Sequence, residues 1–269
     1  LTEPLAKYVA MNAPQLQFPF RRFQIGKVYR GERAQRGRFR EFYQADIDVI
    51  GDGELDIIND AEMPSIIYRA FTELGLKRFV IRLNNRKLLS GLFALYGLEG
   101  EQAAEVMRII DKLEKIGREK VLGLLSETGL DPEKAGQLLD LLTCSDRGEN
   151  PVERLEALKG RNETFDKGLD ELKTVTSLMS AFGVPESHFK VDLTIARGLD
   201  YYTGTVYETT MTDYPEIGSV CSGGRYDDLA GYYTNKKLPG VGISIGLTRL
   251  FYVLDEQGLL SRELITAPA

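Results

Sequence analysis

Groups that could bind a polyphosphate are concentrated in one short stretch of the chain. Between Arg21 and Arg40 there are eight Lys or Arg residues and a single acidic residue, Glu32. A guanidinium group binds phosphate through paired hydrogen bonds, and a nearby carboxylate can accept a hydrogen bond from an amino group such as that of adenine. Arg30 and Glu32 share a strand face, extended beyond the strand end, so they suit such a ligand. The alternative is a surface ion pair worth about 0–1 kcal/mol in a solvated basic loop.

A strand with one unusually polar face follows this basic stretch. Residues 39–50 alternate between two faces of a strand. The first face carries Glu41, Tyr43, Ala45, Ile47 and Val49. The second face carries Phe42, Gln44, Asp46, Asp48 and Ile50. The first is largely apolar and is expected to pack on a core, whereas the second is expected to form the floor of a cleft. Beside the arginine cluster, it indicates a site for a polyphosphate and a small polar ligand.

Two further segments are rich in groups that bind ligands. The loop 197–204 combines charge, two adjacent tyrosines and two glycines, which favours a binding loop, although adjacent tyrosines more often pack than catalyse. The Gly-rich stretch 240–246 leads into a helix whose first turn contains Arg249. A cation is unfavourable at a helix N-terminus, so Arg249 either faces an anion there or is a solvated surface residue. Taken alone, the residues favour the solvated alternative.

Residue counts exclude several kinds of catalytic machinery. There is one histidine, His188, and there are two cysteines, Cys144 and Cys221. A Ser-His-Asp or Cys-His arrangement would depend on His188, which we interpret as a surface residue, and we interpret Cys221 as a packing residue. Two cysteines form neither a disulfide framework nor a zinc cluster, and a reducing cytoplasm is the simplest setting. The chain lacks a P-loop sequence. Any chemistry must therefore use Arg, carboxylates, Tyr and the backbone.

The composition is that of a globular protein. Of 269 residues, 43% are apolar and 28% are charged, which allows a sizeable core. The net charge is −6, so bulk charge gives no support to nucleic-acid binding, although the stretch from 21 to 40 carries +7. No apolar run approaches the roughly 20 residues of a membrane span, and the first residues do not resemble a signal peptide. Because Met is absent at position 1, we expect a piece of a longer chain.

Three regions of the chain differ in their predicted secondary structure, and they position these groups. Residues 1–85 are strand-rich after one early helix, residues 86–183 are typical of helices, and residues 184–262 return to strands. Strands that follow one another with few intervening helices favour an antiparallel sheet, in which segments 191–196 and 205–211 would form a wide hairpin. The predicted fold class is α+β, with 86–183 as an inserted helical domain.

Four segments together resemble histidyl-tRNA synthetases, a family of class II aminoacyl-tRNA synthetases. The stretch 29–44 is similar to class II motif 2, and the stretch 242–249 is similar to motif 3. The loop 197–204, RGLDYYTG, resembles the signature loop special to this family, and 221–227, CSGGRYD, resembles its Gly-rich strand. The last two segments are specific, and the resemblance spans the chain.

The resemblance implies a class II antiparallel sheet flanked by helices, built from residues 1–85 and 184–262. Residues 86–183 would form the insertion domain that reaches for the tRNA acceptor stem, and 263–269 would begin a linker to an anticodon-binding domain. The implied activity is ATP-dependent conversion of histidine to histidyl-adenylate, with Mg²⁺, followed by transfer to the 3′ end of tRNA(His). A cytoplasmic location, a homodimer for the full-length protein and poor aminoacylation by this chain alone are also implied.

Residue roles at ATP follow from the matching positions. The implied ATP-binding set is Arg30, Glu32, Arg38, Phe42, Arg197 and Arg249, of which Arg30, Arg197 and Arg249 are the catalytic residues. Arg30 would hold the α-phosphate and the histidine carboxylate, while Glu32 would bind the adenine amino group and Phe42 would stack on the ring. Arg38 and Arg249 would hold the outer phosphates.

Residue roles at histidine follow in the same way. The implied set is Thr2, Arg30, Gln44, Asp48, Arg197, Tyr201 and Tyr202. Thr2 and Gln44 would bind the amino group, and Asp48 and Tyr202 would bind the imidazole. Arg197 would contact the α-phosphate from the side opposite Arg30, where other enzymes often use a metal ion. No metal-ligating residue is implied.

The mechanism that the resemblance implies needs no side-chain base. The histidine carboxylate is already a nucleophile, so catalysis amounts to positioning and charge stabilisation. One departure from the family pattern is Thr248, where motif 3 usually has Glu before its Arg. The alternative function is a non-catalytic relative, either the regulatory subunit of ATP phosphoribosyltransferase in histidine biosynthesis or a domain that senses tRNA. Such a protein need not keep Arg30, Arg197 and Arg249, so their presence favours the enzyme.

Overall fold

The computed structural model describes residues 1–31, 39–195, 201–256 and 258–260. Within these ranges the chain forms a seven-stranded sheet. The strands are β1 (Phe20–Tyr29), β2 (Glu41–Ile50), β3 (Phe79–Asn85), β4 (Phe189–Val191), β5 (Thr205–Met211), β6 (Ser219–Tyr226) and β7 (Gly240–Ile245). The helices are α1 (Thr2–Asn12), α2 (Ile58–Glu73), α3 (Arg86–Leu95), α4 (Gly100–Ile110), α5 (Leu113–Ile116), α6 (Arg118–Glu127), α7 (Pro132–Leu142), α8 (Pro151–Glu156), α9 (Glu163–Ala181) and α10 (Leu247–Glu256). The predicted α+β class, an antiparallel sheet flanked by helices, is confirmed.

The strand order across the sheet is β1-β2-β7-β6-β5-β3-β4. β3 and β4 run parallel, and the other neighbouring pairs run antiparallel. The predicted wide hairpin between segments 191–196 and 205–211 is wrong, because β3 lies between β4 and β5. Contacts distant in sequence hold β4 there: Arg82 of β3 forms an ion pair of 2.7 Å with Asp192, and the Asn84 amide donates to the carbonyls of Leu193 and Ile195.

The register aligns residues of three adjacent strands on one sheet face. Asp48 of β2 lies opposite Gly242 of β7, which lies opposite Gly224 of β6. The next row in the same face pairs Asp46 with Ser244. Since side chains alternate between faces along a strand, this face collects the polar set predicted for β2. The opposite face packs on the main core, in which Val49 is buried and Ala45 and Ile47 are partly buried.

Helix boundaries follow local capping groups. Helix α2 begins at Ile58, where the Asp56 carboxylate accepts a hydrogen bond of 2.8 Å from the Ile58 amide. Asp131 caps the start of α7, since its carboxylate accepts from the amides of Glu133 and Lys134. Phe165, Leu169 and Leu172 are buried along one side of α9, and Gly183 adopts a φ of 84° just beyond its end.

Helices from the block 86–183 share one continuous core with the sheet. α3 and α9 approach closely, and a Cβ atom at Gly91 would lie 2.3 Å from the Phe165 amide nitrogen. A Cβ atom at Gly168 would lie 2.2 Å from the Leu88 amide nitrogen, so both glycines are needed for this contact. The division into residues 1–85 and 184–262, with 86–183 as an insertion, stays a prediction. No helix among the described residues is long and apolar enough to cross a membrane.

Candidate active site

A polar cleft of about 200 Å³ lies on the sheet face that carries the polar row. Its walls come from β2, β6, β7, the start of α1, the residue after β1 and the residues before β5. The lining residues include Thr2, Arg30, Gln44, Asp46, Asp48, Tyr201, Tyr202, Ser222, Tyr226 and Ser244. The cleft floor predicted from the alternation of residues 39–50 is therefore present, with Gln44, Asp46 and Asp48 in it.

Two glycines of β7 make room for the side chains at the floor of this cleft. A Cβ atom at Gly242 would lie 2.2 Å from Oδ1 of Asp48, and one at Gly240 would lie 2.3 Å from the ring of Tyr226. No side chain fits at such distances without displacing its neighbour. The alternate spacing of the two glycines thus serves side-chain packing on one sheet face as well as the strand-to-helix connection.

Asp48 is a buried carboxylate with two partners. Its Oδ1 accepts a hydrogen bond of 2.7 Å from the Tyr226 hydroxyl, and its Oδ2 lies 2.8 Å from Nη2 of Arg22. Burial raises the pKa of Asp48 to about 6, while the charge of Arg22 and the Tyr226 hydrogen bond oppose that rise. The carboxylate can therefore change charge close to neutral pH.

A chain of hydrogen bonds crosses from β2 to β7 beside Asp48. The Gln44 amide group donates to the Ser244 hydroxyl at 2.5 Å, and that hydroxyl donates to Asp46 at 2.6 Å. Burial raises the pKa of Asp46, and the hydrogen bond from Ser244 partly opposes this. One N–H of the Gln44 amide is used within the protein, and its carbonyl oxygen can accept a hydrogen bond from a ligand.

The tyrosines before β5 pack against each other and against the sheet. The rings of Tyr201 and Tyr202 meet edge to face at 4.9 Å, and Tyr201 meets Tyr226 at 6.0 Å. A Cβ atom at Gly224 would lie 3.0 Å from the Tyr202 ring, so this ring lies over the Gly-rich strand. Burial raises the pKa of Tyr201, and its hydrogen bonds with Thr2 and Tyr202 oppose the rise. The structure thus brings Thr2, Tyr201 and Tyr202 together at one wall of the cleft.

Arg30 and Phe42 lie together at the mouth of the cleft. The Arg30 guanidinium carbon is 5.1 Å from the centre of the Phe42 ring, within the range of a cation–π contact. The Arg30 amide donates to the carbonyl of Arg40 at 2.9 Å, which holds the two chain segments together beyond the ends of β1 and β2. Arg30 is exposed, so its guanidinium is accessible to a ligand.

Arg249 is a predicted site residue that is not among those lining the cleft. It lies in the first turn of α10, half-buried, and its Nη1 donates to the carbonyl of Ser219 at 2.5 Å. This contact with the protein backbone corrects the solvated alternative. Its predicted role at the outer phosphates stays a prediction.

Three predicted site residues lie outside the described residues, namely Glu32, Arg38 and Arg197. Within the described ranges, no group of three or more His, Cys, Asp or Glu side chains is placed to hold a metal ion. The interpretation of His188 as a surface residue is wrong, because its half-buried ring packs between Tyr68 and Phe79 at 5.1 and 4.9 Å. Cys221 is buried, and burial raises its pKa, in agreement with a packing role.

Sequence reasoning missed three residues that shape the cleft. Arg22 was counted only as part of the basic stretch, Tyr226 only as part of a motif, and Ser244 had no assigned role. Signals for them existed: Arg22 has the same strand parity as Arg30, and two glycines spaced by two in one strand indicate that large neighbours cover that face.

Comparisons with known proteins agree with this geometry. A family model described as histidyl-tRNA synthetase matches residues 1–250. A histidine–tRNA ligase of Clostridium tetani (strain Massachusetts / E88) is 55% identical over 260 residues, which cover 97% of this chain and 59% of that protein. The crystal structure of histidyl-tRNA synthetase from Nostoc sp. PCC 7120 has a TM-score of 0.88 at 44% identity, and the match covers 96% of this chain and 59% of that one.

A more distant structure shares the fold. An ATP phosphoribosyltransferase regulatory subunit/histidyl-tRNA synthetase from Bacillus halodurans has a TM-score of 0.74 at 23% identity, covering 93% of this chain and 62% of that chain. At that identity the likeness concerns the fold alone. The chain spans less than two thirds of the length of all three proteins.

Proposed function

Because the chain belongs to the histidyl-tRNA synthetase family, we propose that it forms the activating core of a histidine–tRNA ligase. It would convert histidine and ATP to histidyl-adenylate and pyrophosphate, and then pass the histidyl group to tRNA(His). The observation that supports this most directly is that Gln44, Asp48, Tyr202 and Thr2 line one cleft next to Arg30.

The proposed pose of histidine uses the polarity of the cleft floor. The carbonyl oxygen of Gln44 and the hydroxyl of Thr2 accept from the substrate ammonium group. The carboxylate of Asp48 accepts from an imidazole N–H, and Tyr202, with Tyr201 beside it, closes the wall around the ring. A buried carboxylate that has lost most of its water gains more from such a donor than an exposed one would. The floor therefore suits a small cationic or N–H-bearing side chain.

The proposed pose of ATP requires Arg30 to exchange partners. Its present contact with Phe42 is worth about 0.5–1 kcal/mol at an exposed site, whereas a charge-assisted hydrogen bond is worth about 1.5–3 kcal/mol. The guanidinium would move from Phe42 to the α-phosphate and the histidine carboxylate, and adenine would take its place on the ring. Three further roles complete the proposal. Glu32 would bind the adenine amino group, and Arg38 and Arg249 would hold the outer phosphates. Arg197 would supply the second contact to the α-phosphate.

The proposed chemistry is an in-line displacement. An oxygen of the histidine carboxylate forms a bond to the α-phosphorus, the bond from that phosphorus to the bridging oxygen breaks, and pyrophosphate leaves with the electron pair. A tRNA hydroxyl then forms a bond to the carbonyl carbon, the bond from that carbon to the phosphate oxygen breaks, and AMP leaves with the electron pair and takes up the hydroxyl proton. Fixed guanidinium groups stabilise the charge that develops on the phosphoryl oxygens. Mg²⁺ would neutralise phosphate charge as the ion that accompanies ATP, and we assign it no protein ligands.

The partners belong to the same proposal. The proposed substrates are histidine, ATP and tRNA(His). Residues 86–183 are proposed to contact the acceptor stem of the tRNA. The full-length protein is proposed to be a homodimer in the cytoplasm. We expect this chain alone to aminoacylate tRNA poorly.

Histidine-dependent exchange of labelled pyrophosphate into ATP, measured with the full-length protein, tests the activity. We expect exchange with histidine and none with leucine or glutamine, and a loss of about 100-fold or more in an Arg30→Gln variant. The matched control is Arg69→Gln, which removes an exposed arginine of α2 outside the cleft. Histidine binding without exchange would contradict the proposal and favour the regulatory or tRNA-sensing alternative.

A further inference from the structure

We propose that Arg22 and Tyr226 are positioning residues that select histidine by holding the Asp48 carboxylate charged and in one orientation. The inference rests on the proposed function, because it gives Asp48 the imidazole as its ligand. Arg22 lies outside the lining of the cleft, and Tyr226 is a buried part of that lining. Both would act on the substrate through Asp48.

Arg22 is placed for this role by the sheet register. It lies directly opposite Asp48 in the pairing of β1 with β2, and the two side chains are 10% and 4% exposed. The terminal nitrogen Nη2 and the carboxylate Oδ2 are 2.8 Å apart, yet among the described residues neither atom has an aligned hydrogen bond. The attraction between them is therefore one of charge, and a different cation at position 22 could supply it.

Tyr226 is held in place by packing, and its hydroxyl orients the Asp48 carboxylate. Its ring lies across Gly240, where a Cβ atom would come within 2.3 Å, and it is 2% exposed. Ala6 and Leu229 pack around it, so the ring has little freedom to turn. Its hydroxyl donates to Oδ1 of Asp48 at 2.7 Å. Arg22 and Tyr226 thus approach different oxygens of one carboxylate and fix its plane.

The groups around Asp48 explain why Arg22 matters for its charge. Burial disfavours the ionised carboxylate, and Asp46 on the same strand adds a like charge. Tyr201 and Tyr202 face it from the residues before β5, and Tyr226 faces it from β6. The opposing positive charge is that of Arg22 on β1. Among the side chains that the structure describes, Arg22 is the cation that offsets the burial of Asp48.

The charge of Asp48 decides which substrate side chain fits. An ionised carboxylate accepts hydrogen bonds and offers none, so it favours a ring N–H, whereas an apolar side chain would cover the carboxylate without donating to it. Sites that hydrogen-bond a polar substrate group reject analogues that lack this group far more strongly than hydrophobic pockets can. If Asp48 were protonated, it would donate instead, and the preference for a histidine N–H would be lost.

The test measures KM for histidine and for ATP in pyrophosphate exchange from pH 6 to pH 9, with full-length wild type, Arg22→Met, Arg22→Gln, Arg22→Lys and Tyr226→Phe. We expect Arg22→Met and Arg22→Gln to raise KM for histidine about 10- to 100-fold at pH 7, with partial recovery toward pH 9 as Asp48 loses its proton. KM for ATP should change less than about threefold, and Arg22→Lys should retain most of the wild-type affinity. Tyr226→Phe should raise KM for histidine without the recovery at high pH.

A second measurement separates this inference from the proposed function. The Asp48 carboxyl is titrated by ¹³C NMR in wild type and in the Arg22 variants, and its pKa should be higher in Arg22→Met and Arg22→Gln. An unchanged pKa, or an Arg22→Lys variant as impaired as Arg22→Met, would overturn the inference. A wild-type protein without histidine-dependent exchange would overturn the proposed function, and the NMR titration would still report whether Arg22 sets the charge of Asp48.

Discussion

The hydroxyl of Thr248 accepts a hydrogen bond of 2.7 Å from the backbone N–H of Tyr43, which joins helix α10 to strand β2. β7 pairs with β2 from Ala45 onward, so the Tyr43 amide lies beyond the end of that ladder. A backbone donor there needs a partner, and Thr248 supplies one. Residues next to these two in the sequence include Phe42, Gln44 and Arg249. A departure from the class II pattern thus links the proposed ATP and histidine contacts.

Removing this link should affect ATP more than histidine. We expect Thr248→Ala to lower the free energy of unfolding by about 0.5–1.5 kcal/mol and to raise KM for ATP by about 3- to 10-fold. The reason is that both the Phe42 segment and the first turn of α10 lose a shared anchor. Urea unfolding and pyrophosphate exchange measure the two effects. Thr248→Ser keeps the hydroxyl and is the control, and equal defects in Ser and Ala variants would show that the hydrogen bond is not the cause.

The space above Gly242 should be indispensable for the cleft. In Gly242→Ala the new methyl group would lie 2.2 Å from Oδ1 of Asp48, so the carboxylate must move. A displacement of about 1 Å at a reacting or binding group can cost about 100-fold, and overpacking costs about 1–3 kcal/mol of stability. We therefore expect KM for histidine to rise at least tenfold and the free energy of unfolding to fall within that range.

Gly246, four residues after Gly242, provides the matched control for this prediction. A Cβ atom at Gly246 would meet the Val220 carbonyl oxygen at 3.5 Å, an ordinary contact distance. Gly246→Ala should therefore change KM for histidine less than about threefold. Comparable losses in both variants would mean that backbone freedom, and not room for Asp48, is what the Gly-rich strand provides.

How far the sequence predicts this site depends on whether the contact is local. Alternation within β2 placed Gln44, Asp46 and Asp48 on one face, because strand geometry fixes that pattern over a few residues. Their partners Arg22 and Ser244 lie on other strands, and the register that aligns them is set by the whole sheet. The position of β4 was mispredicted for the same reason, since Asp192 meets Arg82 only in the folded sheet.

A buried ion pair beneath the cleft should matter more for stability than an exposed one. Arg225 of β6 contacts Asp60 of α2 at 2.7 Å, with side chains 8% and 0% exposed, and also donates to the Leu55 carbonyl at 2.9 Å. Breaking such a pair leaves an uncompensated buried charge, so Arg225→Met should cost about 3–5 kcal/mol in urea unfolding. The control is Arg118→Met, at a pair with Asp140 that is 42% and 52% exposed, for which we expect a loss below about 1 kcal/mol. Similar losses in both variants would contradict this account.

Asp48 should stabilise the protein less than a neutral group of the same shape. Its pKa is raised by burial from 3.8 to about 6, so the folded chain holds the proton more tightly than the unfolded chain does. The free energy of unfolding should consequently rise as the pH falls through about 6, and this gain is complete below about pH 4. Asp48→Asn cannot titrate, and it keeps an oxygen that accepts from Tyr226.

We therefore expect Asp48→Asn to exceed wild type in free energy of unfolding by about 2–3 kcal/mol at pH 8, since one pKa unit corresponds to about 1.4 kcal/mol. The difference should shrink steadily toward pH 4, and urea unfolding at one-unit pH intervals measures it. Asp140→Asn, at an exposed carboxylate, reports the effect of removing one surface charge. The same Asp48 variant should lose histidine-dependent exchange, as expected where a binding group is held in an unfavourable environment. A variant less stable than wild type at pH 8 would mean that the ion pair with Arg22 outweighs the burial of the carboxylate.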